Sequence, residues 1–190
     1  MSIRMATEQD LPQILAIYAP YVQNTTISFE YTVPTLEEFT LRFRAITSQF
    51  PWLVWEEKGR ILGYAYGSLP FERAAYQWCS EASIYLHPSA HRQGIGKSLY
   101  ETLENFLALQ GYRKVYALVT SQNENSLRFH EAVGYRFVAH FPECGYKFGQ
   151  WLGVTWLEKP LISVESAKEI PPAIRSAREL YTKFSEILDK

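Results

Sequence analysis

The chain has 190 residues, 47% of them hydrophobic, enough for one well-buried core and about one domain. Its 19 Lys plus Arg stand against 20 Asp plus Glu, a formal net charge of -1, so no global basic field attracts nucleic acid or an anionic membrane and any anion site must be local. Cys79 and Cys144 fall in no metal-ligand spacing, the opening MSIRMATEQD has no apolar signal core, and no run approaches the roughly 18 apolar residues of a membrane span. The expectation is a soluble, metal-free protein of the reducing cytoplasm.

In chain order, Ile3 to Ala6 predicts a short strand, and Thr7 caps a helix from Glu8 to Ala19 with Leu11, Ile14, Leu15 and Tyr18 on one face. Thr35, with Glu38 three residues on, forms a capping-box pattern that starts a second helix running to Ile46. Trp52 to Glu56 and Ile61 to Gly67 read as a hairpin around Lys58-Gly59, and CSEASIYL as a strand ending at His87-Pro88. From Gly94 the period changes: Ile95, Leu99, Leu103, Phe106 and Leu107 make a helical stripe that Gly111 closes. KVYALVT is a buried strand, Asn125 or Ser126 opens a short helix ended by Gly134, and YRFVAHF and WLGVTWL supply two last strands. The order is mixed α+β, with a strand, turn, helix and strand unit at its centre.

Residues 161–190 read as an extension to a domain of residues 1–160. The extension passes Pro171-Pro172 and ends in an amphipathic helix carrying Ile174, Ala177, Tyr181, Phe184 and Leu188 on one face. It packs either back on the domain or on a second copy.

HRQGIG, His91 to Gly96, lies between the CSEASIYL strand and the helix opening at Gly94. Unpaired amides in the first helical turn, with two glycines that let an anion approach closely, suit a pyrophosphate, although a plain strand-to-helix turn has the same composition. It is neither the dinucleotide fingerprint, which needs G-x-G-x-x-G, nor a P-loop, which needs an earlier glycine.

The stretch resembles the acyl-CoA motif of the GNAT N-acetyltransferase superfamily, [QR]-x-x-G-x-[GA], with His91 in the first place and Arg92, Gln93, Gly94, Ile95, Gly96, Lys97 and Ser98 following. Asn123 to Val138, NENSLRFHEAVGYRFV, resembles the superfamily's downstream N-x-x-[AS]-x-x-x-[YH]-x-x-x-G-[FY]. Arg73-Ala74-Ala75-Tyr76, Glu81-Ala82-Ser83-Ile84-Tyr85, Phe29-Glu30 and the late GYKFGQW are similar to the branch of phosphinothricin and methionine sulfoximine N-acetyltransferases. The resemblance covers residues 2–160. It implies a GNAT fold, a central, mostly antiparallel twisted sheet flanked by helices, and acetyl-CoA as cosubstrate. It also implies a homodimer and detoxification of a small amino-acid-like amine.

An amine is mostly ammonium at neutral pH, so acetyl transfer needs a proton acceptor, and Glu81, an acid on an apolar strand, is the candidate. The resemblance implies an oxyanion-binding amide within Ile84, Tyr85 and Leu86, a pantetheine contact at Asn123, and His130 facing the CoA thiol as its proton donor. It also implies a substrate pocket of Phe29, Glu30, Arg73, Tyr76 and Ser83, with Arg73 suited to pair a substrate carboxylate. His87, His91 and His140 carry no assigned role, and Lys147 reads as solvated. Two rival functions stay open: acetylation of a protein N-terminus or another small amine, and a non-catalytic acyl-CoA-binding sensor.

Overall fold

The computed structural model describes residues 2–162 and 172–181. Among these described residues seven strands form one sheet in the order β1-β2-β3-β4-β5-β7-β6. They are β1 (Ser2–Met5), β2 (Trp52–Glu57), β3 (Arg60–Ser68), β4 (Cys79–Leu86), β5 (Lys114–Thr120), β6 (Arg136–Lys147) and β7 (Gln150–Pro160). Only β4 and β5 pair in parallel, because the long α3 (Ile95–Gln110) crosses between them; every other neighbour is antiparallel.

Two cores lie on opposite faces. Helices α1 (Leu11–Asn24) and α2 (Leu36–Thr47) bury Ile14, Tyr18, Phe39 and Phe43 against Trp52, Val54 and Tyr64. On the other face α3 buries Leu99, Leu103, Phe106 and Leu107 against Leu53, Ala65, Val115 and Leu157, with α4 (Glu124–Ala132) beside it. The α3 stripe is the one its helical spacing predicts. Among the described residues no helix is long and apolar enough to cross a membrane.

Local chemistry explains both the agreements and the departures. At α2 the Glu38 N–H donates to Thr35 Oγ1 at 3.2 Å and the Thr35 N–H to Glu38 Oε2 at 2.7 Å, a complete capping box. Lys58 and Gly59 turn β2 into β3 with φ of 51° and 78°, the left-handed pair a two-residue hairpin needs. In place of one helix from Glu8 to Ala19, a 3-10 turn at Glu8–Asp10 leads into α1, which runs through Pro20 to Asn24 because Tyr18 and Val22 still pack on the sheet. Helix α4 starts earlier than Asn125, since Asn123 Oδ1 accepts the Ser126 N–H at 3.2 Å and makes Asn123 the cap. Strand β6 runs well beyond Phe141, its register shifting at Phe137/Ala139 and Phe141/Gly145, so Pro142 and Gly145 are absorbed in an irregular strand.

The C-terminal stretch folds back on the domain. Ala177 and Leu180, in the helical turn 177–181, join the α3-side core, and the Arg175 and Ala177 amides donate to Gln110 and Gln49 carbonyls, both at 3.0 Å. Phe184 and Leu188, assigned to the same apolar face, lie outside the described residues.

Candidate active site

The ladder between β4 and β5 stops early. Cys79, Ser80 and Glu81 pair with Lys114, Val115 and Tyr116, and from Ala82 onward β4 keeps only β3. The alternation of an antiparallel strand sorts its groups: the His87 N–H donates to Leu62 of β3 at 2.9 Å, so Tyr85 and Ser83 also face β3, while Ala82, Ile84 and Leu86 turn backbone N–H and C=O toward the gap. Two side chains already reach across it: Tyr21 Oη donates to Leu86 O at 2.6 Å, and Tyr100 Oη lies 3.3 Å from Ala82 O. Of the three residues in which sequence reading sought an oxyanion-binding amide, Ile84 and Leu86 present one to the cleft. Tyr85 spends its amide on Tyr64 and packs its ring against Tyr18, Tyr21 and Tyr64.

The cleft opens into a groove of about 490 Å³ lined by Tyr21, Ile84, Leu86, His91, Gly96 and Asn123, among others. At its rim Arg92 and Gly94 both take left-handed backbone, φ 61° and 80°. The first bond of α3 is from Ser98 N–H to Gly94 O at 3.1 Å, which leaves the Ile95, Gly96 and Lys97 amides ahead of any intrahelical acceptor. Left-handed turns and free amides at the start of a 16-residue helix form an anion cradle. Gln93 turns back to Ser89 O at 2.5 Å, and exposed Lys97 stands 3.7 Å from Glu101. These residues fit a pyrophosphate with a thread-like chain leading from it into the gap.

Glu81 holds the last rung before the strands part, opposite Ser68 on one side and Tyr116 on the other. It is half-buried, and burial alone pushes its carboxyl up to about 7, with no cation among the described residues to offset it. Ser83, two residues on along the same face, bonds Tyr66, the residue it pairs with on β3. Phe71, Tyr76, Tyr116 and Trp156 stack around this face, with ring centroids 4.6 to 5.8 Å apart.

His130 lines the other wall and is 3% exposed. Its Nδ1 is 2.8 Å from Ser126 O and its Nε2 2.9 Å from Tyr100 Oη. Burial lowers its pKa, and the Ser126 carbonyl partly opposes that.

The remaining predicted residues divide. Glu30 pairs with Arg42 at 2.6 Å and leaves its Oε2 buried without a partner. Phe29 packs on Gly145 so closely that a Cβ there would overlap its ring, which brings the early Phe29-Glu30 and the late GYKFGQW segments together. Lys147 is not solvated: it is 2% exposed and its Nζ donates to the carbonyls of Val22, Thr25 and Ser28 at 2.8, 3.0 and 2.6 Å, tying down the loop that carries Phe29. Arg73 is exposed just ahead of the 3-10 turn Ala74–Tyr76, and Tyr76 stands beside Phe71 in the aromatic wall. Among the described residues no cluster of three or more His, Cys, Asp or Glu is placed to hold a metal.

A family profile described as an acetyltransferase (GNAT) domain matches residues 3–156. The chain belongs to the GNAT acetyltransferase family. It is 36% identical over 162 residues to a phosphinothricin N-acetyltransferase of Alcaligenes faecalis, covering 84% of this chain and 82% of that one. To an L-methionine sulfoximine/L-methionine sulfone acetyltransferase of Pseudomonas paraeruginosa it is 35% identical over 170 residues, 87% and 98% of the two chains. The crystal structure of a GNAT phosphinothricin acetyltransferase from Sinorhizobium meliloti in complex with acetyl-CoA superposes with a TM-score of 0.84 at 34% identity, covering 90% and 92%. The structure of yncA from Salmonella typhimurium with its cofactor acetyl-CoA gives 0.84 at 28%, covering 90% and 99%.

The cleft and the groove beside it include residues the sequence did not single out. Tyr100 hides in the apolar stripe of α3, where helical spacing reads it as core. Tyr21 lies past the proline at which the first helix was expected to end. His91, given no role, lines the groove 3.5 Å from Tyr21 Oη.

Proposed function

We propose that the protein transfers the acetyl group of acetyl-CoA to the α-amino group of a small amino-acid-like substrate of the phosphinothricin or methionine sulfoximine type, by direct attack in a ternary complex. The observation that carries this reading is Glu81, a half-buried carboxyl poised at about 7 on the last rung before the β4/β5 gap. The names of the relatives support the substrate class.

In this reading Gly94, Ile95, Gly96, Lys97 and Ser98, with Arg92 and Gln93, hold the CoA pyrophosphate, and the backbone of Ile84 and Leu86 with Asn123 holds the chain that leads to the thioester. Asn123 spends Oδ1 on capping α4, so its Nδ2 is the group left to donate. Glu81 takes a proton from the substrate ammonium through water and frees the amine to attack. An amide of Ile84 or Leu86 meets the developing oxyanion. The imidazolium form of His130 supplies a proton to the departing thiolate, and the proton lost by the new amide nitrogen restores it. Phe29, Glu30, Ser83 and Tyr76 wall the amine substrate, and Arg73 pairs its carboxylate.

The protein acts in the cytoplasm and detoxifies its substrate. It pairs with a second copy through the β6-β7 hairpin, where the aromatic side chains Phe137, Phe141, Phe148 and Trp151 are 47% to 62% exposed. Sedimentation equilibrium would then read twice the 22.0 kDa chain mass.

The deciding experiment is thiol release from acetyl-CoA with phosphinothricin, methionine sulfoximine, ordinary amino acids, polyamines and short peptides, with Glu81→Gln alongside. Turnover with the amino-acid analogues that the variant largely loses supports the reaction and its base. Turnover with peptides alone moves the substrate to a protein N-terminus, and tight acetyl-CoA binding without turnover on any amine makes the protein an acyl-CoA sensor.

A further inference from the structure

The bonds around His130 constrain where its protons are. The Ser126 carbonyl only accepts, so at 2.8 Å it fixes a hydrogen on Nδ1, and the Ser126 hydroxyl 3.3 Å from the same nitrogen then stands as a second, longer acceptor. In the neutral ring Nε2 is then a bare acceptor, and the group facing it at 2.9 Å is the Tyr100 hydroxyl, which must donate. Nε2 is thereby occupied, and the neutral imidazole has no proton to offer the cleft. Yet Tyr100 is 1% exposed, and its hydroxyl has a second acceptor, Ala82 O at 3.3 Å, one of the carbonyls turned toward the gap.

These three groups form a chain with two polarities. With a neutral ring, Tyr100 donates to Nε2. With an imidazolium, Nε2–H donates to the Tyr100 oxygen and the Tyr100 hydrogen turns to Ala82 O. No heavy atom moves between the two. Other ionisable groups nearby do not touch the ring nitrogens. Tyr135 meets the ring edge-on at 5.1 Å, Glu104 is bound to Lys159 at 2.6 Å, and Glu81 points to the opposite face of β4 from Tyr100.

We propose that Tyr100 is a positioning residue for His130, the reversible hydroxyl that keeps Nε2 hydrogen-bonded whether or not this buried imidazole carries its second proton. The proposal rests on acetyl transfer at the cleft only for its effect on rate. Charge-assisted hydrogen bonds are about twice as strong as neutral ones, so removing the hydroxyl harms the imidazolium more than the neutral ring.

The test uses the full chain with ¹⁵N-labelled histidine. In the wild type, above the ring's pKa, His130 shows a protonated Nδ1 and a hydrogen-bonded, unprotonated Nε2. In Tyr100→Phe the Nε2 resonance moves to that of an unbonded nitrogen, and the His130 pKa falls by about half a unit or more. In steady state Tyr100→Phe lowers kcat about tenfold with the KM for acetyl-CoA unchanged, and adds no further loss in a His130→Asn background. A wild-type Nε2 without a hydrogen bond, an unchanged or raised His130 pKa in the variant, or a Tyr100→Phe loss that persists in His130→Asn overturns the proposal. If no amine supports turnover, the acetyl-transfer reading fails while the wild-type spectrum still decides the hydrogen-bond chain, even should Tyr100→Phe not fold.

Discussion

Glu81 is held at odds with its surroundings. Burial alone pushes its carboxyl to about 7, from 4.5, so near neutrality it is divided between acid and carboxylate. A base must be unprotonated to act, so under the proposed role kcat/KM for the amine is expected to rise with pH through about 7, and Glu81→Gln to cut it by about 10² to 10⁴ across that range. Stability moves the other way. A folded-state pKa raised above the unfolded value means the native state gains from this group below the unfolded pKa and loses that gain as pH rises through about 7. At pH 8 the Gln variant should therefore melt at or above the wild-type temperature, which calorimetry on the same samples checks. Glu81 was legible in the sequence because an acid within an apolar strand is out of place. Tyr100 was not, since a tyrosine inside a helical apolar stripe looks like packing, and its hydroxyl acquires meaning only from two elements distant in sequence.

Elements bring distant segments to this site by specific fastenings. Lys147, at the end of β6, gives all three of its hydrogens to carbonyls of α1 and the loop after it. Lys147→Met should lower stability by about 3 kcal/mol, the scale of losing a charged donor from buried acceptors, and raise the KM of the amine more than that of acetyl-CoA, as paired melting and kinetic measurements would show. At the start of α3, a Cβ on Gly96 would lie 3.4 to 3.5 Å from Leu86, Phe129 and Ile84, so a longer side chain must enter the groove. Gly96→Leu should weaken acetyl-CoA binding at least about tenfold in a calorimetric titration, a change of about 1.4 kcal/mol. Capping boxes, left-handed hairpin pairs and the period change at Gly94 announced most elements, because each depends on a few adjacent residues. Strand β6 was read short, as its bulges are stabilised by β7 and by the Phe29 loop rather than by its own sequence.

Across the whole molecule, the C-terminal stretch closes the far end of the sheet. Leu180 and Ala177 sit at 4% and 2% exposure in the α3-side core, and Trp78, one residue before β4, donates its indole N–H to Pro172 O at 3.0 Å. A chain ending at Ile162 should lose about 2 to 3 kcal/mol of stability in urea unfolding, the worth of the two buried side chains. The sequence left open whether this stretch meets its own domain or a second copy, since an amphipathic pattern specifies an apolar partner without naming it. The early end of the β4/β5 ladder has another consequence. A sheet normally exposes its free edges at its rims, where other chains can add to them. Here one edge lies mid-sheet, between β4 and β5 beyond Glu81 and Tyr116. Whatever enters it finishes the sheet, so occupancy and folding share one free energy. Deuterium exchange at the Ile84 amide should be fast in the unliganded protein and slow sharply when acetyl-CoA is added.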